Sequence, residues 1–151
     1  MDSTRNVGFH VEVGETAEFS KTLTETDLAL FSAISGDFDP IHVDEAYARA
    51  TPFGRRIAHG ILSMALLSTV SAMISHRARE RGSLATSVSL GYDRIRFLKP
   101  VFVGDTLTAR YTILALDPDS GRSRSKVEVF RNGTELAVVG EHIMKWLPPD
   151  A

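Results

Sequence analysis

Between Ile57 and Ser75 the chain carries no Asp, Glu, Lys or Arg. A stretch that long and uncharged must either cross a membrane or lie in a protein core. This one contains His59, Gly60, Ser63, Ser68, Thr69, Ser71 and Ser75, which lower its hydrophobicity. The rest of the chain reads as a sheet that needs a helix to cover it. The segment is therefore expected to be a buried core helix, and no membrane partner is expected. The helix is predicted from about Gly60 to Arg81. Ile61, Met64, Ala65, Leu67, Ala72 and Ile74 give it a nearly all-round apolar surface. Arg77, Arg79 and Arg81 suit the negative end of the helix dipole, and Gly82 stops it.

Upstream, Glu12 to Leu23 alternates in part and reads as a strand. Thr24 reads as an N-cap, with Asp27 three residues on as an imperfect capping box. Leu28, Phe31 and Ile34 share one face of the helix that follows, and Gly36 can end it in a left-handed conformation. Pro40 pushes Asp39 toward an extended conformation, so Asp37 to Ile41 is expected to be a loop. Asp44 can cap a short helix through Ala50, which Thr51-Pro52-Phe53-Gly54 breaks.

Downstream the chain reads as strands. Thr86 to Leu98 is the first, with a bulge expected at Gly91. Pro100 and Gly104-Asp105 mark a turn before Thr106 to Leu116, and Asp117 to Gly121 marks another. Arg122 to Arg131 is predicted to pair with Thr134 to Leu147 through a two-residue Asn132-Gly133 turn. One long buried helix plus several antiparallel strands is an α+β layer architecture. A chain of 151 residues fits a single domain, expected over 1–151, and can bury roughly 70% of its unfolded surface.

Composition excludes several classes. With 17 basic and 19 acidic residues, net charge is -2, so bulk electrostatics offer nothing to nucleic acid. The absence of cysteine excludes disulfides and thiol catalysis and fits a cytoplasmic location. Met1 to Asn6 has no apolar core, so a secretory signal is not expected there.

Two blocks carry chemistry. The first is Ser35-Gly36-Asp37-Phe38-Asp39-Pro40-Ile41-His42; the second is Ala58-His59-Gly60-Ile61-Leu62-Ser63. Taken singly, Asp37 would be a turn residue, His42 a loop histidine, and Gly60 a helix-entry glycine. Together they supply an acid/base pair and a backbone N–H at a helix start.

The blocks resemble the hydratase motif of the MaoC-like, (R)-specific enoyl-CoA hydratases, which have the hot-dog fold, an antiparallel sheet wrapped around one long central helix. Asp37 and His42 match that group's acid and histidine, and Ser35, Gly36 and Pro40 match the frame. His59-Gly60 matches its histidine-glycine step, and Ser63 falls where a serine is common. Phe97 to Thr106 resembles the strand-turn-strand segment of the same proteins. One position departs: Asp39 stands where Asn is usual, and a second carboxylate near Asp37 would raise the pKa of one of them.

The resemblance implies syn addition of water to a trans-2-enoyl thioester, giving an (R)-3-hydroxyacyl product. Asp37 would act as base, and His42 would orient the water or relay the proton. The Gly60 N–H would receive the enolate oxygen. Ser63, Phe38, Pro40 and His59 are the expected substrate-binding residues, with His59 structural in part and not the base. No cofactor is expected beyond coenzyme A carried by the acyl-CoA substrate, and no metal: Asp37, Asp39, His42 and Asp44 match no ligand spacing. Arg55, Arg56, Arg94, Arg96 and Lys99 are candidates for coenzyme A phosphates, though each alone reads as surface charge. The expected partner is a second copy, as a homodimer or higher homo-oligomer. Two other classes share this fold and ligand: an acyl-CoA thioesterase, and a dehydratase subunit acting on carrier-protein-bound chains.

Overall fold

The computed structural model describes residues 8–149. Met1 to Asn6, read above as lacking a signal, lies outside them. The elements run β1 (Thr16–Thr22), α1 (Glu25–Ser35), α2 (Pro40–Val43), α3 (Glu45–Arg49), α4 (Gly60–Glu80), β2 (Thr86–Phe97), β3 (Thr106–Asp117), β4 (Arg122–Arg131) and β5 (Glu135–Leu147). The strands form one sheet in the order β1-β3-β4-β5-β2, every neighbour antiparallel. This is the hot-dog arrangement expected from the sequence.

Alternation in β3 to β5 explains how the sheet meets the helix. Leu107, Ala109, Tyr111 and Ile113 are buried on β3, Val127 and Val129 on β4, and Met144 and Trp146 on β5. They share one core with Leu66, Leu67, Val70, Ile74 and Ala78 of α4. Each Val, Leu, Ile or Met among them contributes about 1.5–3 kcal/mol on burial. Among the described residues, α4 is the helix long and apolar enough to cross a membrane, and it is the helix this sheet covers.

Several local expectations are revised. α4 is not buried all round: Ile61, Ala65 and Ala72 face outward, on the side away from Leu66, Val70 and Ile74. Residues 37–41 are not all loop, because Pro40 occupies the first position of α2, where its missing N–H costs nothing. β1 starts only at Thr16, since Glu12 to Glu15 close a turn with the Glu15 N–H donating to the Glu12 carbonyl. The β4–β5 connection spans three residues, with Arg131 opposite Glu135. Asn132 is held left-handed (φ 49°) because its side chain is employed. It accepts from the Thr106 N–H at 2.9 Å and donates to Asp105 at 2.8 Å. The bulge at Gly91 is present, and β2 slips again between Asp93 and Arg96. The capping box is complete: the Thr24 hydroxyl accepts from the Asp27 N–H, and the Asp27 carboxylate accepts from the Thr24 N–H.

His142 on β5 is fully buried, with Ser89 Oγ at 2.7 Å from Nε2 and Tyr111 Oη at 2.8 Å from Nδ1. Burial lowers its pKa from 6.5 to about 4. Since the folded-state value is depressed, the unfolded chain takes up this proton first as pH falls. The stability it contributes is complete above about pH 6.5 and is lost down to about pH 4. The loss is on the order of 3 kcal/mol. Carboxylates titrate in the same range, so the comparison is with His142→Gln. Urea unfolding at pH 7 and pH 4.5 is expected to show a larger drop for the wild type than for the variant. Equal drops would exclude His142 as the source.

Candidate active site

α1 delivers the first half of the site. Its C-terminus closes on Gly36 (φ 75°), whose N–H donates to the Ser32 carbonyl at 2.9 Å. A left-handed residue is needed there to turn the chain out of the helix. The chain then descends a ladder of side-chain caps. The Asp37 N–H donates to Ser35 Oγ (3.2 Å), the Asp39 N–H to Asp37 Oδ1 (3.1 Å), and the Ile41 N–H to Asp39 Oδ1 (3.0 Å). Asp39 is thus the N-cap of α2, a task Asn and Asp perform equally well.

That short helix carries His42, whose side chain is largely buried. His42 Nδ1 donates to the Ile57 carbonyl at 2.8 Å, which leaves the Nε2 lone pair free when the ring is neutral. Nε2 faces the Asp37 carboxylate at 4.0 Å. The gap is too long for a direct hydrogen bond and suits one bridging water. Asp37 is 48% exposed, so solvent reaches this pair.

The segment before α4 supplies the second half. The Ile57 N–H donates to the Ile41 carbonyl (3.2 Å) and the Ala58 N–H to the Val101 carbonyl (2.7 Å). These bonds clamp residues 57–58 between α2 and the strand connection, so α4 starts beside His42. His59 precedes the helix with its ring stacked on that of His42, centroids 3.8 Å apart. It makes no side-chain cap to the helix. The first N–H groups of a helix have no intrahelical partner, so the Gly60 N–H is available to a ligand.

A cavity of about 380 Å³ opens at this point. His42, Gly60, Ser63 and Lys99 give it its polar groups, and Phe53, Ile57, Ile61, Phe97, Val101 and Val138 line the apolar remainder. An apolar slot with few polar groups is the form of a small-molecule site. A Cβ placed on Gly60 would lie 2.8 Å from the Phe97 ring, so only glycine leaves this approach open.

The expected residues therefore separate. Asp37, His42, His59 and Gly60 converge, and Ser63 lines the cavity with Gly60. Phe38 and Pro40 are exposed on the cap ladder and are not among the lining residues; Asp37 and His59 do not line the cavity either and reach it through His42, which does. The candidate cations separate too. Lys99 lines the cavity. Arg56 is clamped by Glu25 (2.6 Å) and Glu45 (3.1 Å), and Arg55 lies over Phe102 at 4.0 Å. Arg94 lies 3.9 Å from Glu141, and Arg96 donates to the Ile95 carbonyl. Ligand-type atoms of Asp37, His42 and His59 lie within 4.8 Å of one another, a grouping that their sequence spacing does not suggest. The apolar walls from Phe53, Ile57 and Val138 were not foreseen. Phe53, an exposed aromatic in a turn, was the available signal.

The family model described as "MaoC like domain" matches residues 9–135. The chain belongs to the MaoC-like domain family. A MaoC-like relative from Aeromonas caviae, named (R)-specific enoyl-CoA hydratase, is 38% identical over 135 residues, which cover 89% of this chain and 95% of the relative. The solved (R)-hydratase of A. caviae, described as involved in PHA biosynthesis, superposes with a TM-score of 0.76 at 38% identity, covering 91% of this chain and 98% of that one. The R-hydratase PhaJ1 of Pseudomonas aeruginosa gives 0.76 at 36% identity, covering 95% and 87%. Among MaoC-like proteins, then, the likeness to these hydratases runs nearly end to end.

Proposed function

We propose that the chain, acting as a single domain, is an (R)-specific enoyl-CoA hydratase/dehydratase, a lyase that adds water syn to trans-2-enoyl thioesters. The observation that carries this is the 4.0 Å separation of the Asp37 carboxylate and His42 Nε2 beside an apolar cavity that begins at an uncapped helix start. The naming of relatives at 38% identity supports it.

The steps follow from the residues. A water between Asp37 and His42 donates one O–H to each, so its lone pairs are left for the substrate. Asp37 removes a proton as the water oxygen bonds to Cβ. The Cα–Cβ π pair shifts toward the thioester, and its oxygen gains negative charge. The Gly60 N–H and the positive end of α4 stabilise that charge. The enolate then collapses and takes a proton at Cα, returned by the Asp37–His42 pair from the face on which water added. The reverse sequence is dehydration. Ser63 borders the reacting end, and coenzyme A enters only as part of the substrate.

Incubation with crotonyl-CoA separates the three readings. Loss of the enoyl absorbance without thiol release supports hydration. Release of free thiol would mean hydrolysis, as in a thioesterase. No change would favour a subunit specialised for carrier-protein substrates.

The protein is proposed to act as a homodimer at least, in a reducing cytoplasm consistent with the lack of cysteine. Among the described residues β2 is an edge strand of the sheet with Val88 and Leu90 exposed, and Ile61, Ala65 and Ala72 of α4 are also exposed. Free strand edges and exposed apolar side chains are surfaces proteins usually cover. The end of β2 contributes Phe97 to the cavity, so the site lies close to this surface. Light scattering of an active sample at micromolar concentration is expected to give twice the 16.6 kDa chain mass or more; a monomer mass would contradict it.

A further inference from the structure

His59 takes no part in the steps above, yet it is the most buried member of the cluster, at 3% exposure. Its Nε2 lies 3.1 Å from the Asp37 carbonyl oxygen and 3.5 Å from Ser32 Oγ. A carbonyl can only accept, so Nε2 carries the proton. Nδ1 is then a lone pair, and it is buried with no hydrogen-bond partner among the described residues. A residue kept for packing alone would not leave a buried nitrogen unpaired, since a Phe ring fills similar space without that cost. The ring also packs against two others, stacked on His42 at 3.8 Å and tilted against Phe31 at 4.7 Å.

These contacts link two residues that sit on different elements. The Asp37 loop is otherwise held by exposed local bonds to Ser35 and Asp39. The His42 ring is otherwise held by its bond to the Ile57 carbonyl. We propose that His59 is a positioning residue that sets the distance between the proposed base and its partner. Its N–H fixes the Asp37 backbone, and its ring face fixes the plane of His42, so a single rigid side chain holds both at the width of one water molecule. The inference rests on the Asp37–His42 reading and adds a residue that acts through the pair.

The test is steady-state hydration of crotonyl-CoA by variants that dissect the two contacts. His59→Phe keeps a ring and loses the donor; His59→Gln keeps a donor and loses the ring. Both stay close in volume, so the comparison does not depend on a truncation folding. Each is expected to lower kcat about tenfold with KM within about twofold, because misplacement of catalytic groups costs turnover more than ground-state binding. In the His42→Asn background, adding His59→Phe is expected to cost less than about twofold more, since residues acting through one group are not additive. A merely structural role would repeat its full loss there. Wild-type kcat in both single variants, losses that repeat in full in the double variant, or KM rising in step with the fall in kcat would overturn the proposal. The two readings fail separately. Wild-type hydration by His42→Asn would remove the pair itself and the proposal with it. An impaired His42→Asn beside fully active His59 variants would remove only the positioning role.

Discussion

Asp37→Asn and His42→Asn are each expected to lower turnover about 10²–10⁴-fold, the usual worth of a positioned acid or base. The substitutions are chosen from the contacts. Asn at 37 keeps an oxygen for the Asp39 N–H that Asp37 Oδ1 now accepts at 3.1 Å, but it cannot take a proton from water. Asn at 42 places an amide N–H where His42 Nδ1 meets the Ile57 carbonyl at 2.8 Å, and it removes the free Nε2 lone pair. Truncation to Ala would also cut that tie and leave a part-buried acceptor without its partner, a cost of up to about 1–3 kcal/mol. Both Asn variants should therefore unfold near the wild-type temperature. Hydration near the wild-type rate by either would remove that residue from the mechanism.

Gly60→Pro is expected to lower turnover about 10²–10³-fold relative to Gly60→Ala, the value of one oxyanion donor, or roughly 3–4 kcal/mol of transition-state stabilisation. Proline lacks the N–H but is tolerated at the first helical position. The residue before it must be extended, and His59 already is, at φ -58° and ψ 134°. Alanine alone is not a neutral control, because its Cβ would meet the Phe97 ring at 2.8 Å. Proline brings the same Cβ, so the ratio of the two variants isolates the N–H. Repeating the pair in a Phe97→Ala background, where the ring is gone, should preserve the ratio. If Pro and Ala are equally active there, the Gly60 N–H has no catalytic part. If both stay inactive there, Gly60 is needed for space alone, since it is an ordinary helical residue.

What the sequence disclosed was what local chemistry decides. Thr24 with Asp27, Gly36, Asp44 and Gly82 punctuate the chain because caps and left-handed turns are built from neighbours. The Asp37–His42 pair was legible for the same reason, being five residues apart. Ile61, Ala65 and Ala72 misled because an apolar residue on a helix looks the same whether its cover is this sheet or another molecule. The three-residue β4–β5 connection was missed because Asn132 is recruited by Asp105 and Thr106, 27 and 26 residues away. The contact of His59 with Asp37 spans 22 residues, and the segment before His59 is pinned by Ile57 to Ile41 and by Ala58 to Val101. Such a contact has no periodicity, so no pattern announces it. The same holds for Val138, which reaches the cavity from β5.

The stereochemical course of crotonyl-CoA hydration in D₂O tests the central claim most directly. A water held by Asp37 and His42 on one face of the substrate, with its proton returned from that face, gives (R)-3-hydroxybutyryl-CoA carrying one deuterium at Cα, added syn to the new hydroxyl. That product, formed by the wild type and suppressed in Asp37→Asn, is the expected result. An (S) product, anti addition, or equal yield from the two proteins would contradict it.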